Sequence, residues 1–548
     1  MAIDTGLYPR FFVLALSFLP YLLSKKSGLG FSFHPSDVAI LCFLLVVIFN
    51  SWRSVNSGEA WTWLIRPCYW ISAFYVFKQL SKRERTVFFY SLLFSGSIIM
   101  CYSFWQLSHT TLNRASSYHV MAFSGHKNLL ISTLLLLAGI CLIEVYRHSL
   151  SKKLLVFTCI SLMLSALLSS KTGILGSALI AFGWGIVAFC FKNDYSKQTP
   201  YPPRVPAFMT LLIVAVFFFG IPVALKIPFI SQLDPERYGL WHKSFKLIVE
   251  HPFLGIGSGN WQVLLPSQTL TSLYRLSDLN VTFQRPHNDF ILILCETGII
   301  GFYFFLFTPV FSCIETIKNG WNQANAIYLL IMVVVALLLF TDFPLERPEH
   351  GLLLMFILSS SFEINPVKEK KLPAYLVIAF LFYVSVVSFF RIKGEYYTKE
   401  MNSAFSADNS IEVIKNGQLA LSPFYTLDPW SNPIYWQTGR AWSRLHKPDS
   451  AFRHFRLGLD AAPYHHHLIN DLGVLFFERK QINQALQLFK EALRINPRFD
   501  EPALNIARMQ LLEGNLGAAK QTLDSMKHDS PERSHLLQLT LEKQQGIH

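Results

Sequence analysis

Charged side chains are scarce in this 548-residue chain: Asp, Glu, Lys and Arg make up 15% of it, against 52% hydrophobic residues. A water-soluble domain carries roughly a quarter charged residues, so the deficit excludes a wholly soluble globule. Cysteine is sparse too. The eight cysteines are scattered, and Cys42, Cys159 and Cys190 lie inside apolar runs, which excludes a disulfide framework and a metal-binding cysteine cluster. No D-x-D pair, Walker loop or Ser/His/Asp triad stands where it would matter, which argues against metal-dependent chemistry and a nucleotide loop. No cleavable leader is expected, because the first apolar run, from Phe11, lacks a strongly basic start and a small-residue cleavage site. Acidic residues are outnumbered, 35 against 48 basic, giving a net charge of +13. The basic residues cluster in short loops between apolar runs, so topology explains them better than nucleic acid does.

What the chain has instead is long apolar segments. About 12 are long enough to span or nearly span a bilayer. They start near Phe11, Val38, Trp61, Val87, Leu129, Leu154, Gly173, Phe208, Asp289, Ala326, Gly351 and Leu372. Orientation follows from Lys and Arg in the short loops. The set containing Lys25, Lys78, Arg85, Arg147, Lys152, Lys192, Lys318 and Lys368 holds about 16 charges, the alternate set (Arg10, Arg53, Arg114, Lys127, Lys171, Arg347) about 6. The first set is therefore cytoplasmic. The expected organisation is all-α: transmembrane helices over 1–225, an extracytoplasmic loop over 226–288, further transmembrane helices over 289–391, and a soluble domain over 398–548 on the same side as the loop.

That soluble domain carries a repeat. Gly439, Trp442, Ala451, Phe455, Gly458 and Pro463 recur as Gly473, Phe476, Ala485, Phe489, Ala492 and Pro497, and a degraded third unit keeps Ala503, Ala519 and Leu523. The spacing matches the tetratricopeptide repeat, in which small residues let paired helices approach and aromatics fill the gap between them. Such repeats bind partners and rarely catalyse. His465, His466 and His467 fall at the junction of two units, where a solvated turn is expected rather than a metal site.

Chemistry concentrates in R-P-H-N-D-F-I-L-I-L-C-E-T-G-I-I-G, from Arg285 to Gly301. A cation and a titratable His sit at the mouth of a transmembrane helix. Pro286 suits a first helical turn, and helix amides there favour phosphate and a neutral His287, the form a general base needs. Arg285 could instead snorkel to lipid headgroups. Glu296 lies within the helix, where an ionisable group is costly, so pairing with a cation of another helix is expected. Gly298 and Gly301 suggest close helix packing.

The pattern H-N-x9-G-x-x-G resembles the motif of the O-antigen ligase and polymerase superfamily, membrane enzymes that move glycans from a polyprenyl-diphosphate carrier to an acceptor. Arg237-Tyr-Gly-Leu-Trp241, followed by H-P-F-L-G-I-G-S-G-N-W, resembles the family's second hallmark, an Arg-bearing helix before a Gly-rich turn. By periodicity the same stretch reads as a basic amphipathic helix lying in the interface. Ser170-Lys171 stands where the family often has Ser-Arg, and Lys keeps the charge while losing the planar fork. Gly125-His126-Lys127-Asn128 resembles the start of the family's site, although a polar helix cap explains it as well.

The resemblance implies an inverting glycosyltransferase of the GT-C type. His287, Arg285 and Arg237 would be catalytic, and Lys171, His126, Lys127, Asn288 and Trp241 would bind substrate, with no metal and no cofactor. It implies a donor glycan on undecaprenyl diphosphate, met at the periplasmic side of a bacterial inner membrane. The acceptor would be lipid A–core, as in an O-antigen ligase, with a growing glycan or a protein as alternatives. The repeats would serve a macromolecular partner. A transporter of lipid-linked sugar stays open, and ionisable pairs deep within several segments would favour it.

Overall fold

The computed structural model describes residues 7–24, 29–31, 35–109, 120–122, 126–147, 150–168, 170–191, 235–270, 283–362, 370–372, 374–526 and 528–545. Among these, 7 helices are long and apolar enough to cross a membrane: Pro35–Arg53, Lys82–Ser108, Lys127–Arg147, Thr172–Cys190, Asp289–Lys318, Gln323–Thr341 and Tyr375–Ser406. The shorter apolar helices Leu7–Phe18 and Pro348–Ser359 join them. The segment expected near Phe208 lies outside the described residues. The one expected from Trp61 is two pieces, Ser57–Trp63 and Ile65–Lys78, the first capped by the Asn56 side chain.

Packing follows apolar periodicity. Lys127–Arg147 is apolar on every side and buried along nearly its whole length, as a central helix must be. It touches Leu155–Leu167, Lys171–Cys190, Gln323–Thr341 and Pro348–Ser359. Peripheral helices leave large apolar side chains bare, such as Phe94, Phe182 and Phe189, which suit lipid rather than water. At one end of the bundle Arg85 forks onto Glu144 at 2.9 and 2.6 Å and reaches Ser360 at 2.8 Å. Two three-residue strands, Leu29–Phe31 and Lys370–Leu372, pair antiparallel beside this otherwise helical body.

The Asp289–Lys318 helix is broken at Gly298, where φ is 64° and ψ −173°. The turn after the Pro235–Glu250 helix inserts there. Ile256 and Gly257 donate to the freed carbonyls of Cys295 and Glu296 (3.0 and 3.1 Å), while Ile299 and Ile300 donate to Pro252 and Phe253 (2.8 and 3.2 Å). The backbones touch: a Cβ on Gly298 would lie 2.3 Å from Phe253, and one on Gly255 2.5 Å from Glu296. Gly298 thus serves a backbone splice rather than the helix packing expected of it. Gly301 does face a helix, with Val46 of Pro35–Arg53 3.2 Å from where its Cβ would be. Glu296 lies within electrostatic range of Arg66 on the Ile65–Lys78 helix, and its Oε1 accepts the Trp261 backbone N–H at 3.2 Å and so holds the spliced turn.

The repeat domain grows out of the bundle without a linker, because Ala374–Ser406 is one helix that then packs on Ser410–Ala420. The repeat logic holds at atomic level: a Cβ on Gly439 would meet Phe455 at 2.4 Å, and one on Gly473 would meet Phe489 at 2.7 Å. Asn56 donates to Thr426 (2.9 Å) and Ala461 (3.0 Å), Ser431 to Gln262 (2.8 Å) and Leu270 to Ile495 (2.8 Å). The tail therefore sits directly on the loop that follows the Gly-rich turn.

Candidate functional site

Asn288 caps the Asp289–Lys318 helix, its Oδ1 accepting the Ile291 N–H at 3.0 Å. The helix thus begins after Pro286 rather than at it, and this side chain, not a ligand, meets one of its first amides. Asn288 Nδ2 is buried with no hydrogen-bond partner among the described residues. The loop before the cap is held from below: the buried Trp241 donates its indole N–H to the Pro286 carbonyl at 2.8 Å. Trp241 thereby positions the loop. Its helix, Pro235–Glu250, is amphipathic as expected: it packs on the membrane body through Leu240, Trp241, Lys243, Ser244 and Leu247 and leaves His242, Lys246 and Val249 exposed. Burial pulls the Lys243 ammonium down to about 8, and its Nζ donates to the Gln268 carbonyl at 3.1 Å.

His287 adopts a left-handed backbone, φ 54°, uncommon outside glycine and frequent at functional sites. Its ring is edge-on to Phe343, with centroids 5.1 Å apart, and Nδ1 stands 3.8 Å from Oδ1 of Asp342. That is an electrostatic pairing rather than a formed hydrogen bond. Burial pushes the His287 imidazole below its ordinary value; Asp342 opposes, while Arg237 and Arg285 push with burial. The ring is neutral at neutral pH. Burial by itself would raise the Asp342 carboxyl, but His287, then Arg237 and His126, outweigh it and hold it below the usual carboxylate range.

Two guanidiniums, Arg237 and Arg285, flank this pair. Arg237 Nη1 donates to the Thr341 carbonyl at 2.7 Å, next to Asp342. Arg285 pairs with Glu346, donates to Gln284 Oε1 at 2.7 Å and lies over the Phe343 ring at 4.4 Å. Burial, helped by Arg66, draws Arg285 down to about 9. Arg66 approaches the other oxygen of Glu346 at 3.8 Å. His126 lies within electrostatic range of Asp342, His287 and Arg237, and its Nδ1 accepts the Asn128 N–H at 3.2 Å; burial lowers its pKa. Lys127 is buried at the start of its helix. Asn128 Oδ1 accepts from Ser170 at 3.2 Å, which brings the start of the Lys171–Cys190 helix to the same corner. The Lys171 side chain lies outside the described atoms.

Sequence reading had found His287, Arg285, Arg237 and His126 but passed over Asp342, Glu346 and Arg66. A signal for the carboxylates existed in T-D-F-P-L-E-R-P, two acids among prolines where an apolar segment ends, Glu346 lying between Pro344 and Pro348. Beside them an apolar cavity of about 110 Å³ runs between the helices, lined by Phe43, Trp70, Phe74, Phe305, Leu339 and Leu345. Leu345 also reaches the site, its N–H donating to Asp289 at 3.0 Å. Among the described residues, no group of three or more His, Cys, Asp or Glu could hold a metal ion.

Residues 154–306 match the family described as O-antigen ligase. These residues form an O-antigen ligase domain. A second match, over 476–541, is to the tetratricopeptide repeat. A search of the curated proteins finds no match. The ligase domain takes in Arg237, the Gly-rich turn, His287 and the break at Gly298, and ends before Asp342 and Glu346. Together with the apolar helices, the match supports a multi-pass membrane protein with a glycan-transfer function.

Proposed function

We propose that this protein transfers a glycan from undecaprenyl diphosphate to an acceptor hydroxyl, by direct inverting displacement without a metal, at the periplasmic side of an inner membrane. The observation that carries this reading is the half-buried His287 beside the Asp342 carboxylate, flanked by Arg285 and Arg237 next to an apolar cavity. His287 takes the acceptor proton as the acceptor oxygen bonds to the anomeric carbon. The bond to the diphosphate oxygen breaks on the opposite face, and the diphosphate leaves with the electron pair. Asp342 steadies the imidazolium so formed. Arg285 and Arg237 neutralise the departing diphosphate, the task a metal performs elsewhere, Arg285 exchanging Glu346 for phosphate oxygens. His126 flanks the same corner, Lys171 is assigned to the diphosphate from the sequence, and the apolar cavity suits the first isoprene units of the carrier.

Lipid A–core is the favoured acceptor, with a growing glycan or a protein as alternatives, and the repeats serve the acceptor or a protein partner. The transporter reading is weaker. Two buried ion pairs, Arg85–Glu144 and Arg391–Glu59, each have at least one member within the end turns of its helix, where they staple neighbours instead of lining a path. The test is a purified-protein assay with an undecaprenyl-diphosphate glycan and each acceptor class, with and without EDTA. His287→Ala should abolish transfer in a protein that still inserts, and EDTA should not. Near-normal turnover of His287→Ala removes the base, and loss on chelation restored by magnesium removes the metal-free route.

A further inference from the structure

Of the three histidines expected in a solvated turn, His466 is buried and His465 and His467 are half-buried. Among the described residues they line an open-sided cavity of about 350 Å³ between the repeat domain and the loop, together with Gln262, Phe283, Asn432, Arg440, Asp471 and Glu501 among others. His465 caps its helix by accepting the Leu468 N–H at 3.1 Å and meets Asn432 at 3.0 Å. His467 stacks near Trp436, with centroids 5.6 Å apart. Phe283 is shared with the candidate active site, its ring centroid 6.4 Å from that of His287.

We propose that this cavity is a saccharide subsite, holding a neutral sugar unit of the acceptor beside His287. The inference rests on the transfer reading above, and it commits the acceptor to carbohydrate. Charge argues first. The charged lining groups are one guanidinium, Arg440, against two carboxylates, Asp471 and Glu501, a balance that repels a phosphate and suits hydroxyls, which donate to the acids and accept from the Arg. Burial pushes His465 down to about 3 and His467 to about 4, so the imidazoles add neutral donors and acceptors and no positive charge. Asp471 is pre-set, accepting the Trp436 indole N–H at 2.8 Å.

Size and neighbours argue next. Small-ligand pockets run from roughly 300 to 1,000 Å³, and this one is at the lower end, room for one or two sugar rings rather than a peptide segment. The protein's own loop already lies along the repeat surface beside it, where Leu270 donates to the Ile495 carbonyl at 2.8 Å and Arg494 to that of Ser267 at 3.3 Å. An extended peptide partner would have to displace that loop.

Saturation-transfer NMR on the full-length protein in detergent, with lactose and N,N′-diacetylchitobiose as probes, tests this directly. At least one disaccharide should receive saturation, and Asp471→Asn and Glu501→Gln should each weaken the signal while leaving thermal unfolding unchanged. If Asp471→Asn unfolds early, the surface variant Glu501→Gln decides alone. In the transfer assay both variants should raise the acceptor KM about tenfold or more with kcat little altered. No saccharide signal on folded protein, an undiminished signal in the variants, or displacement by inorganic pyrophosphate or a Ser/Thr peptide would each overturn the subsite. Saccharide binding without any glycan transfer would sink the transfer reading and spare the subsite; transfer without saccharide binding would do the reverse.

Discussion

In the proposed transfer, His287 and Asp342 divide one task between them. The imidazole must be neutral to accept a proton and must then be stabilised as a cation, and burial serves the first need while the carboxylate serves the second. Activity should therefore rise as pH passes upward through a His287 pKa set below its ordinary value, and then level. Asp342→Asn removes the charge that favours imidazolium, so the limb should move to still lower pH while kcat falls roughly a hundredfold, the low end of what a general base contributes. A pH–rate profile of both proteins checks this; an unmoved limb would detach Asp342 from His287. The guanidiniums carry a second residue-scale prediction. Arg285→Lys and Arg237→Lys keep charge and lose the fork, and a charge-assisted hydrogen bond is worth roughly 1.5–3 kcal/mol. Each should slow transfer about tenfold or more in the reconstituted assay, by the same arithmetic. Full activity in both would leave only membrane anchoring for these residues. His287 and the two arginines were legible because they sit in contiguous motifs. Asp342 was not, since its partner lies far away along the chain and only folding brings them together.

At the scale of elements, the break at Gly298 decides how the loop meets the membrane body. A residue there at positive φ with extended ψ occupies a region essentially reserved for glycine, costing about 1–3 kcal/mol for anything else. The added methyl would also strike the Phe253 carbonyl group. Gly298→Ala should accordingly lower the unfolding temperature in detergent and reduce transfer together. Gly185→Ala, in a helix where an added Cβ meets nothing within 4 Å, is the control and should be neutral or slightly stabilising. Equal behaviour of the two would mean that the splice is dispensable. The sequence could announce two glycines three residues apart, a spacing that serves helix packing and helix breaking alike. Choosing between them needs the position of the Gly-rich turn, which no local pattern supplies.

For the molecule as a whole, the tail acts as a brace. Its contacts with Asn56, Gln262 and Leu270 grip both the membrane helices and the loop. Ending the chain after residue 406 should expose residues 261–270 to protease, whereas ending it after residue 526, which keeps every one of those contacts, should not. Limited proteolysis separates the outcomes, and equal resistance would make the tail a passenger. Sidedness follows from the charge count. A single cysteine at Leu512, a position 73% exposed, placed in a cysteine-free background, should react with a membrane-impermeant thiol reagent from the periplasmic side. Labelling only after lysis of the inner membrane would reverse the topology.

Composition and apolar run length by themselves determined the membrane class, the approximate segments and their expected orientation, because bilayer thickness and loop charge act on each segment separately. Repeat spacing likewise determined the helical tail, since each unit's small and aromatic residues need only their neighbours. Folding alone decided what depends on distant pieces of chain meeting: Asp342 and Glu346 at the active loop, Trp241 beneath it, the splice at Gly298, and the cavity between three histidines and a loop. Those contacts join residues well separated along the chain, 45 positions for Trp241 and Pro286 and 169 for Gln262 and Ser431, and the free energy that selects them belongs to the packed whole rather than to any local window.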